Sequence, residues 1–161
     1  MNKLIILAAL LFASHAFALP EDAKQPIEIE AQSVVVDETT GLNKFSGNAE
    51  VRQGSLLLLA ELIQVQTDNE EVVSMIAQGS LEKPAKYIQR QENQARFIEA
   101  SATLITYNVN EGMIFLVGSA HLVQGFESFS GDTLEYDINN NKVNAKGSED
   151  GTQRVKFKID L

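Results

Sequence analysis

Two histidines, no cysteine and 22 acidic side chains bound the chemistry open to this chain of 161 residues. His15 falls in a leader segment, so any metal or nucleophilic site would have to be built on His121. A structural zinc site takes four ligands drawn mainly from Cys and His. A Ser-His-Asp triad takes a base, an orienting acid and a nucleophile on a strained turn, and no nucleophile-elbow sequence occurs. His121 sits between Ala120 and Leu122 in a strand-like stretch, where an imidazole is ordinarily exposed or hydrogen-bonded. Asp137-x-Asn139-x-Asn141 opens like a calcium loop, but Lys142 stands where the sixth position needs glycine, and Ser148 where the twelfth needs a bidentate glutamate. A hairpin turn is the expectation there. Asp37, Asp132, Glu135 and Asp137 are the acids on which a glycoside-cleaving pair would draw, but on a repetitive scaffold they read as a solvated outer face. No phosphate-binding loop is present. The residues therefore predict no catalytic group, no metal and no cofactor.

The elements that frame these residues start with a leader. Lys3 precedes an apolar run from Leu4 to Phe12, and Ala16-Phe17-Ala18 is a small-x-small cleavage signal. The reading is a signal peptide over 1–18, cleaved after Ala18, because the run is well short of the roughly 20 residues that span a bilayer. Residues 19–161 then form one exported domain of about 143 residues, enough for a real core. Without cysteine, its stability rests on burial and hydrogen bonding. The chain has 13 basic and 22 acidic residues, a formal charge of −9, and losing Lys3 with the leader makes it more acidic still. That balance argues against nucleic acid as a partner.

Beyond Ile27 the texture is strand and turn. Ile27-Glu28-Ile29-Glu30, Leu104–Val109, His121–Val123, Leu134–Ile138 and Val155–Ile159 alternate with period two. Thr40-Gly41, Asp68-Asn69, Asn110-Glu111-Gly112, Asn139-Asn140-Asn141 and Asp150-Gly151 punctuate them. Gln89–Glu99 comes nearest to a helical period, and it is short and polar. The chain also repeats itself. A shift of 71 residues lays Ala31 on Ala102, Gly41 on Gly112, Gly47 on Gly118 and Gln53-Gly54 on Gln124-Gly125. A shift of 29 residues lays Ala31 on Ala60, Ala102 on Gly131 and Gly118 on Gly147. Four strand-turn-strand units follow, from near residues 31, 60, 102 and 131, the second with about 13 extra residues around Glu82–Gln94. No unit can bury its own apolar face, so stacking must do it. Val34, Val36, Ile63, Val65, Ile105, Tyr107, Val109, Leu134, Tyr136 and Ile138 share one inward phase, joined by Leu56 and Leu58. The expectation is an all-β fold with two sheets facing across a long apolar interior.

Several tags occur in order along the mature chain: Gln25-Pro26-Ile27-Glu28-Ile29-Glu30, Phe45-Ser46-Gly47-Asn48, Val51-Arg52-Gln53-Gly54, Lys83-Pro84-Ala85, Val117-Gly118-Ser119-Ala120 and Asp132-Thr133-Leu134-Glu135-Tyr136. With the leader and the length, they make the chain resemble the OstA-like family of lipopolysaccharide-transport proteins. The resemblance implies a twisted, partly open β-jellyroll, V-shaped in section. It implies lipopolysaccharide acyl chains in the interior groove and a periplasmic location between the inner and outer membranes. Its implied partners are related jellyroll domains of the inner- and outer-membrane components, and protomers joined end to end. The ending Val155-Lys156-Phe157-Lys158-Ile159-Asp160-Leu161 departs from the family in having no polar tail.

On that resemblance the groove lining is the inward set above together with Ile27, Ile29 and Tyr87, with Ile88 beside it. The strands near Ile27 and Phe157 are the edges expected to join head to tail. Lys83, Lys86, Arg90 and Arg96 are read as a solvated loop, with a phosphate-binding rim as the sharper alternative. Two rival functions stand against the carrier. A ligand-free structural β-solenoid adaptor predicts a fully packed interior. A periplasmic carbohydrate-active enzyme predicts acids converging on one exposed face.

Overall fold

Alternating branched and polar residues favour extended backbone. The computed structural model describes residues 21–91 and 96–161, and the leader and its cleavage point lie outside the described residues. After one 3-10 turn (Glu21–Lys24) come twelve strands: β1 (Ile27–Glu30), β2 (Ser33–Asp37), β3 (Leu42–Gln53), β4 (Leu56–Asp68), β5 (Glu71–Gln78), β6 (Ala85–Gln91), β7 (Arg96–Ala102), β8 (Leu104–Asn108), β9 (Met113–Gln124), β10 (Glu127–Asp137), β11 (Lys142–Lys146) and β12 (Lys156–Ile159). All pairings are antiparallel. The fold is the expected all-β one.

The twelve strands form one hydrogen-bonded sheet folded across its middle. The long strands β3, β4, β9 and β10 run through the fold and belong to both halves. One half, the upper leaf, runs β2-β3-β4-β5-β8-β9-β10-β11. The other, the lower leaf, runs β1-β3-β4-β6-β7-β9-β10-β12. The leaves face each other, with the Tyr87 and Tyr107 rings meeting edge to face at 5.6 Å across the gap.

The fold line has a chemical cause. In β3, Gly47 and Asn48 stand opposite the single residue Glu61, and in β9, Gly118 and Ser119 stand opposite Asp132. Each is a one-residue bulge, which bends a strand and raises its twist. Gly47 and Gly118 have φ of +83° and +82°, and Asn48 and Ser119 have +46° and +47°. The glycines are needed twice over: the place a Cβ would take is filled by the Gln32 side chain at Gly47 and by Thr103 at Gly118. The bulge also flips the inward phase of the partner strand. In β4 the buried residues are Leu56, Leu58 and Ala60 before the bend, and Ile63 and Val65 after it.

Just inside the bend, where the leaves come closest, side chains must be small. The registers place Ala49, Ala60, Ala85, Ala102, Ala120 and Gly131 in one cross-strand row, and the five alanines are all buried.

The 71-residue shift proves to be structural. It lays β1–β4 on β7–β10, and the bonds across the bend repeat: Gln32 N–H donates to the Gly47 carbonyl at 3.2 Å and Thr103 N–H to that of Gly118 at 3.0 Å. Strands β11 and β12 take the places beside β10 that β5 and β6 take beside β4. The expected insertion at Glu82–Gln94 is therefore corrected. Ala85–Gln91 is strand β6, whose counterpart is β12, and only the turns differ in length. The 29-residue likeness of residue types ends at Gly147-Ser148, before β12. Gly147 is not a third bulge; it approaches the Gln153 carbonyl in the β11–β12 loop.

Overfilling the alanine row should act as a wedge at the bend. Ala102→Leu is expected to cost about 1–3 kcal/mol, lowering the melting temperature by roughly 3–10 °C. Ser101→Leu, one residue away on the outer face, should stay within about 0.5 kcal/mol. Thermal unfolding followed by circular dichroism compares the two.

Candidate functional site

The interior is tiered from bend to mouth. Next outward from the alanine row, the upper leaf presents the row Val34, Phe45, Ile63, Ala77, Ile105, Leu116, Leu134 and Ala145. The lower leaf answers with Ile29, Val51, Leu58, Tyr87, Ala100, Leu122, Phe129 and Phe157. This middle tier is packed shut at its centre: Val51, Leu58, Ile63, Tyr87, Ile105, Leu116 and Leu122 are all buried. Toward the open edges it loosens, and Val34 and Phe157 are 52% and 53% exposed.

The outermost tier is mixed. The lower leaf carries Ile27, Gln53, Leu56, Gln89, Ile98, Gln124, Glu127 and Ile159, and the upper leaf carries Val36, Asn43, Val65, Met75, Tyr107, Ile114, Tyr136 and Val143. Between them lies a cavity of about 510 Å³ lined by Ile27, Leu56, Tyr107, Val109 and Ile138, with Gln53, Gln89 and Asp22. That volume lies within the roughly 300–1,000 Å³ of ordinary small-molecule pockets.

The cavity is latched on one side by the N-terminal turn. Asp22 accepts hydrogen bonds from the Ser55 backbone N–H at 2.8 Å, the Ser55 hydroxyl at 2.5 Å and the Gln89 side-chain amide at 3.0 Å. The Tyr87 hydroxyl donates to Gln89 Oε1 at 2.6 Å. Across the mouth, Gln124 donates to the Tyr136 hydroxyl at 3.1 Å and to Asn141. Burial pushes the Tyr87 phenol well above its ordinary value, with the phenols of Tyr107 and Tyr136 and then Asp22 adding to it. Burial raises Tyr107 as well, and Asp22 follows as the second cause. Both phenols thus remain neutral hydrogen-bonding groups at any ordinary pH.

Every residue expected in the inward phase lies on the inner face or at its mouth. Leu56, Leu58, Ile63, Val65, Tyr87, Ile105, Tyr107, Leu134 and Tyr136 are buried. Ile27, Ile29, Val109 and Ile138 are partly buried against them. Val34 and Val36 differ: β2 is an edge strand, and they are 52% and 60% exposed. Ile88 is corrected to the outer face, since Tyr87 next to it points in. The loop reading holds for Lys83, in the turn before β6, and is corrected for Lys86 and Arg90, which belong to β6, and for Arg96, which opens β7. Lys83, Lys86 and Arg90 are exposed, and Arg90 stacks over the Phe97 ring at 4.9 Å.

His121 lies on the outer face, its Nδ1 3.1 Å from Oγ of Ser130, its direct cross-strand partner. Of the candidate acids, Asp132, Glu135 and Asp137 share β10, and Asp37 lies far from them. Asp37 and Asp137 sit in different hairpin turns, six strand steps apart and hence roughly 29 Å along the leaf at ~4.8 Å per step, where a glycosidase pair needs about 5–9.5 Å. Asp137 accepts from the Asn140 backbone and side chain within its turn, at 3.0 and 2.7 Å, as expected of a hairpin.

Sequence reasoning missed the alanine row, the mouth glutamines and Asp22. The alanines were visible as repeat markers (Ala31, Ala60, Ala102), and Gln53 and Gln124 as repeat partners, but only the cross-strand register puts them on one face.

Three comparisons with known proteins agree. The model of the LptA/(LptD N-terminal domain) LPS transport protein family matches residues 28–142. The chain is 31% identical over 147 residues to the lipopolysaccharide export system protein LptH of Pseudomonas aeruginosa, spanning 91% of this chain and 82% of that one. It is 31% identical over 144 residues to the lipopolysaccharide export system protein LptA of Escherichia coli K12, spanning 89% and 77%. The crystal structure of P. aeruginosa LptH, described as a periplasmic component of a lipopolysaccharide transport device, superposes with a TM-score of 0.78 at 26% identity, covering 88% of this chain and all of that one.

Asp22→Asn keeps the shape of the latch and removes its charge. Because the Asp22 carboxylate raises the Tyr107 phenol, the substitution should let Tyr107 ionise at lower pH, read as tyrosinate absorbance. Weaker acceptance from Ser55 and Gln89 should cost about 1 kcal/mol of stability. An unchanged titration would show that the latch is not formed in solution.

Proposed function

This chain belongs to the LptA/LptD N-terminal domain family of LPS transport proteins, and on that premise we propose that it is a periplasmic carrier that shelters lipopolysaccharide acyl chains between its two leaves and passes them along an end-to-end bridge from the inner to the outer membrane. The observation that carries the reading is the tiering of the interior: aliphatic and aromatic through its middle, with the polar side chains gathered at the mouth and a cavity there. Burying acyl methylenes is worth roughly 0.8 kcal/mol each, so several chains supply ample affinity without directional bonds that would hinder release. The packed middle tier means that loading parts the leaves. The fully packed interior expected of a ligand-free adaptor sits poorly with the mouth cavity, and relatives named as lipopolysaccharide export proteins favour a carrier over an enzyme.

The ends support the bridge. Each leaf has two free edges: β2 and β11 above, β1 and β12 below. Strands β1 and β2 carry Glu28, Glu30 and Asp37 and no base; β11 and β12 carry Lys142, Lys146, Lys156 and Lys158 and no acid. An acidic end facing a basic end favours head-to-tail addition of a second copy, or of a related domain, over head-to-head. The junction inside the chain supplies its register. Where the two halves meet, Met75 pairs with Tyr107 and Ala77 with Ile105. By the repeat, Val143 would pair with Val36, and Ala145 with Val34, of the next copy.

Two measurements test these points. A photoreactive residue in place of Tyr107 should capture lipopolysaccharide in cells, whereas one at Thr106, on the outer face, should not; equal capture, or none from folded exported protein, sinks the groove. The chain has no native cysteine, so Val36→Cys and Val143→Cys can be mixed as separate proteins. Oxidation should link unlike chains at least several-fold more than like ones. Predominant linkage of like chains would mean a symmetric dimer instead.

A further inference from the structure

We infer that Gln53, Gln89 and Gln124 form a hydrogen-bonding row that sets how deep an acylated lipid sits, by engaging the carbonyl oxygens that join its acyl chains to the polar head; this deepens the carrier reading and rests on it. Among the described residues, Gln89 and Gln124 are the buried polar residues, 4% and 3% exposed. Burying a side-chain amide costs free energy unless its groups are paired, and a core that only had to fill space would use leucine here, as the same row does at Leu56. All three amides sit at one level, the outermost of three tiers, with apolar tiers between them and the bend. Below that level the tiers present one polar side-chain group, the Tyr87 hydroxyl, and it is turned up to Gln89 Oε1, so the row marks where hydrocarbon must give way to polar atoms.

The present bonds show what the amides select. Each offers two N–H donors and one acceptor. The Gln89 amide gives an N–H to a carboxylate oxygen of Asp22, the Gln124 amide to Asn141 Oδ1 and to the Tyr136 hydroxyl, and Gln53 to the Gln25 carbonyl at 3.1 Å. These acceptors are sp² oxygens but for that one hydroxyl, and the ester and amide carbonyls of an acylated lipid are of the same kind. Two of them, on Asp22 and Gln25, belong to the segment before β1 and not to the leaves. A lipid carbonyl entering the 510 Å³ cavity takes over the Gln89 donor as Asp22 lets go.

The test uses the mature chain and two probes: purified lipopolysaccharide, and N-phenyl-1-naphthylamine, an apolar fluorophore without carbonyls. Gln89→Leu and Gln124→Leu are each expected to weaken lipopolysaccharide binding about threefold to tenfold, the scale of one neutral buried hydrogen bond, and to leave fluorophore binding within about twofold. Equal loss of both probes, or no loss of either, overturns the depth-setting role while the carrier reading stands. A wild type that binds neither probe overturns the carrier reading and this inference with it. Should the variants not fold, a ¹³C-carbonyl-labelled diacyl lipid bound to the wild type decides: hydrogen-bonded carbonyls shift the infrared band to lower frequency than in apolar solvent, and an unshifted band overturns the proposal.

Discussion

The whole structure depends on how closely one sheet can approach itself at a fold. A twelve-strand antiparallel sheet with one apolar face cannot stay flat in water, and its twist alone would not bring that face together. The bulges at Gly47-Asn48 and Gly118-Ser119 put the bend at one level across the sheet. The alanine row lets the leaves meet there. Larger residues farther out then fill a widening wedge, ending in tyrosines and glutamines at the mouth. The residue sizes follow the taper, which explains why alanine recurs at the same place in strand after strand.

That arrangement separates what must be rigid from what must yield. The bend is covalently continuous in four strands and reinforced by the Gln32 and Thr103 backbone bonds. Apart from the Tyr87 hydroxyl bond to Gln89, the middle tier is held by apolar contact, which is strong in sum and has little geometry to break. Opening it exposes apolar surface, which on the proposed carrier reading an acyl chain would cover again. A carrier with polar hooks throughout its interior would have to break them at every transfer. Here polar groups are confined to the mouth, where water can replace them.

Much of this was legible in the sequence. The strands, the inward phase of Ile63, Val65, Ile105, Tyr107, Leu134 and Tyr136, and the glycines at the bend all follow from period-two alternation and the 71-residue repeat. What was illegible depends on pairing. Ala49, Ala85 and Ala120 look unremarkable apart, and only register shows that they share a row. The insertion at Glu82–Gln94 seemed real because the likeness of β6 and β12 emerges only in register, where Lys86-Tyr87-Ile88 lies beside β4 as Lys156-Phe157-Lys158 lies beside β10, one residue off the 71-residue shift. The exposure of Val34 and Val36 follows from β2 being an edge, a property of topology that alternation does not report.

The duplication also bears on how the ends can work. Two like halves join inside one chain through β5–β8 and β6–β7. The free C-terminal edges β11 and β12 are the counterparts of β5 and β6, and the free N-terminal edges β2 and β1 are the counterparts of β8 and β7. The geometry that joins the halves therefore already exists, unused, at both ends of the molecule. Adding another copy through it would require no new backbone conformation and would carry all three interior tiers, bend row included, across the boundary. What differs between the internal and external junctions is the side chains. Inside, Met75 and Ala77 are sealed against Tyr107 and Ile105. Outside, valines stand for Tyr107, Ile105 and Met75, with Val34 and Val36 exposed and Val143 and Ala145 partly buried, and lysines flank one edge while carboxylates flank the other. Smaller apolar contacts and solvated charges would make such an external junction weaker than the internal one, and the charges would give it a direction. Exposed strand edges ordinarily risk indiscriminate pairing; opposite charge at the two ends would restrict that pairing to the orientation in which the interior stays continuous.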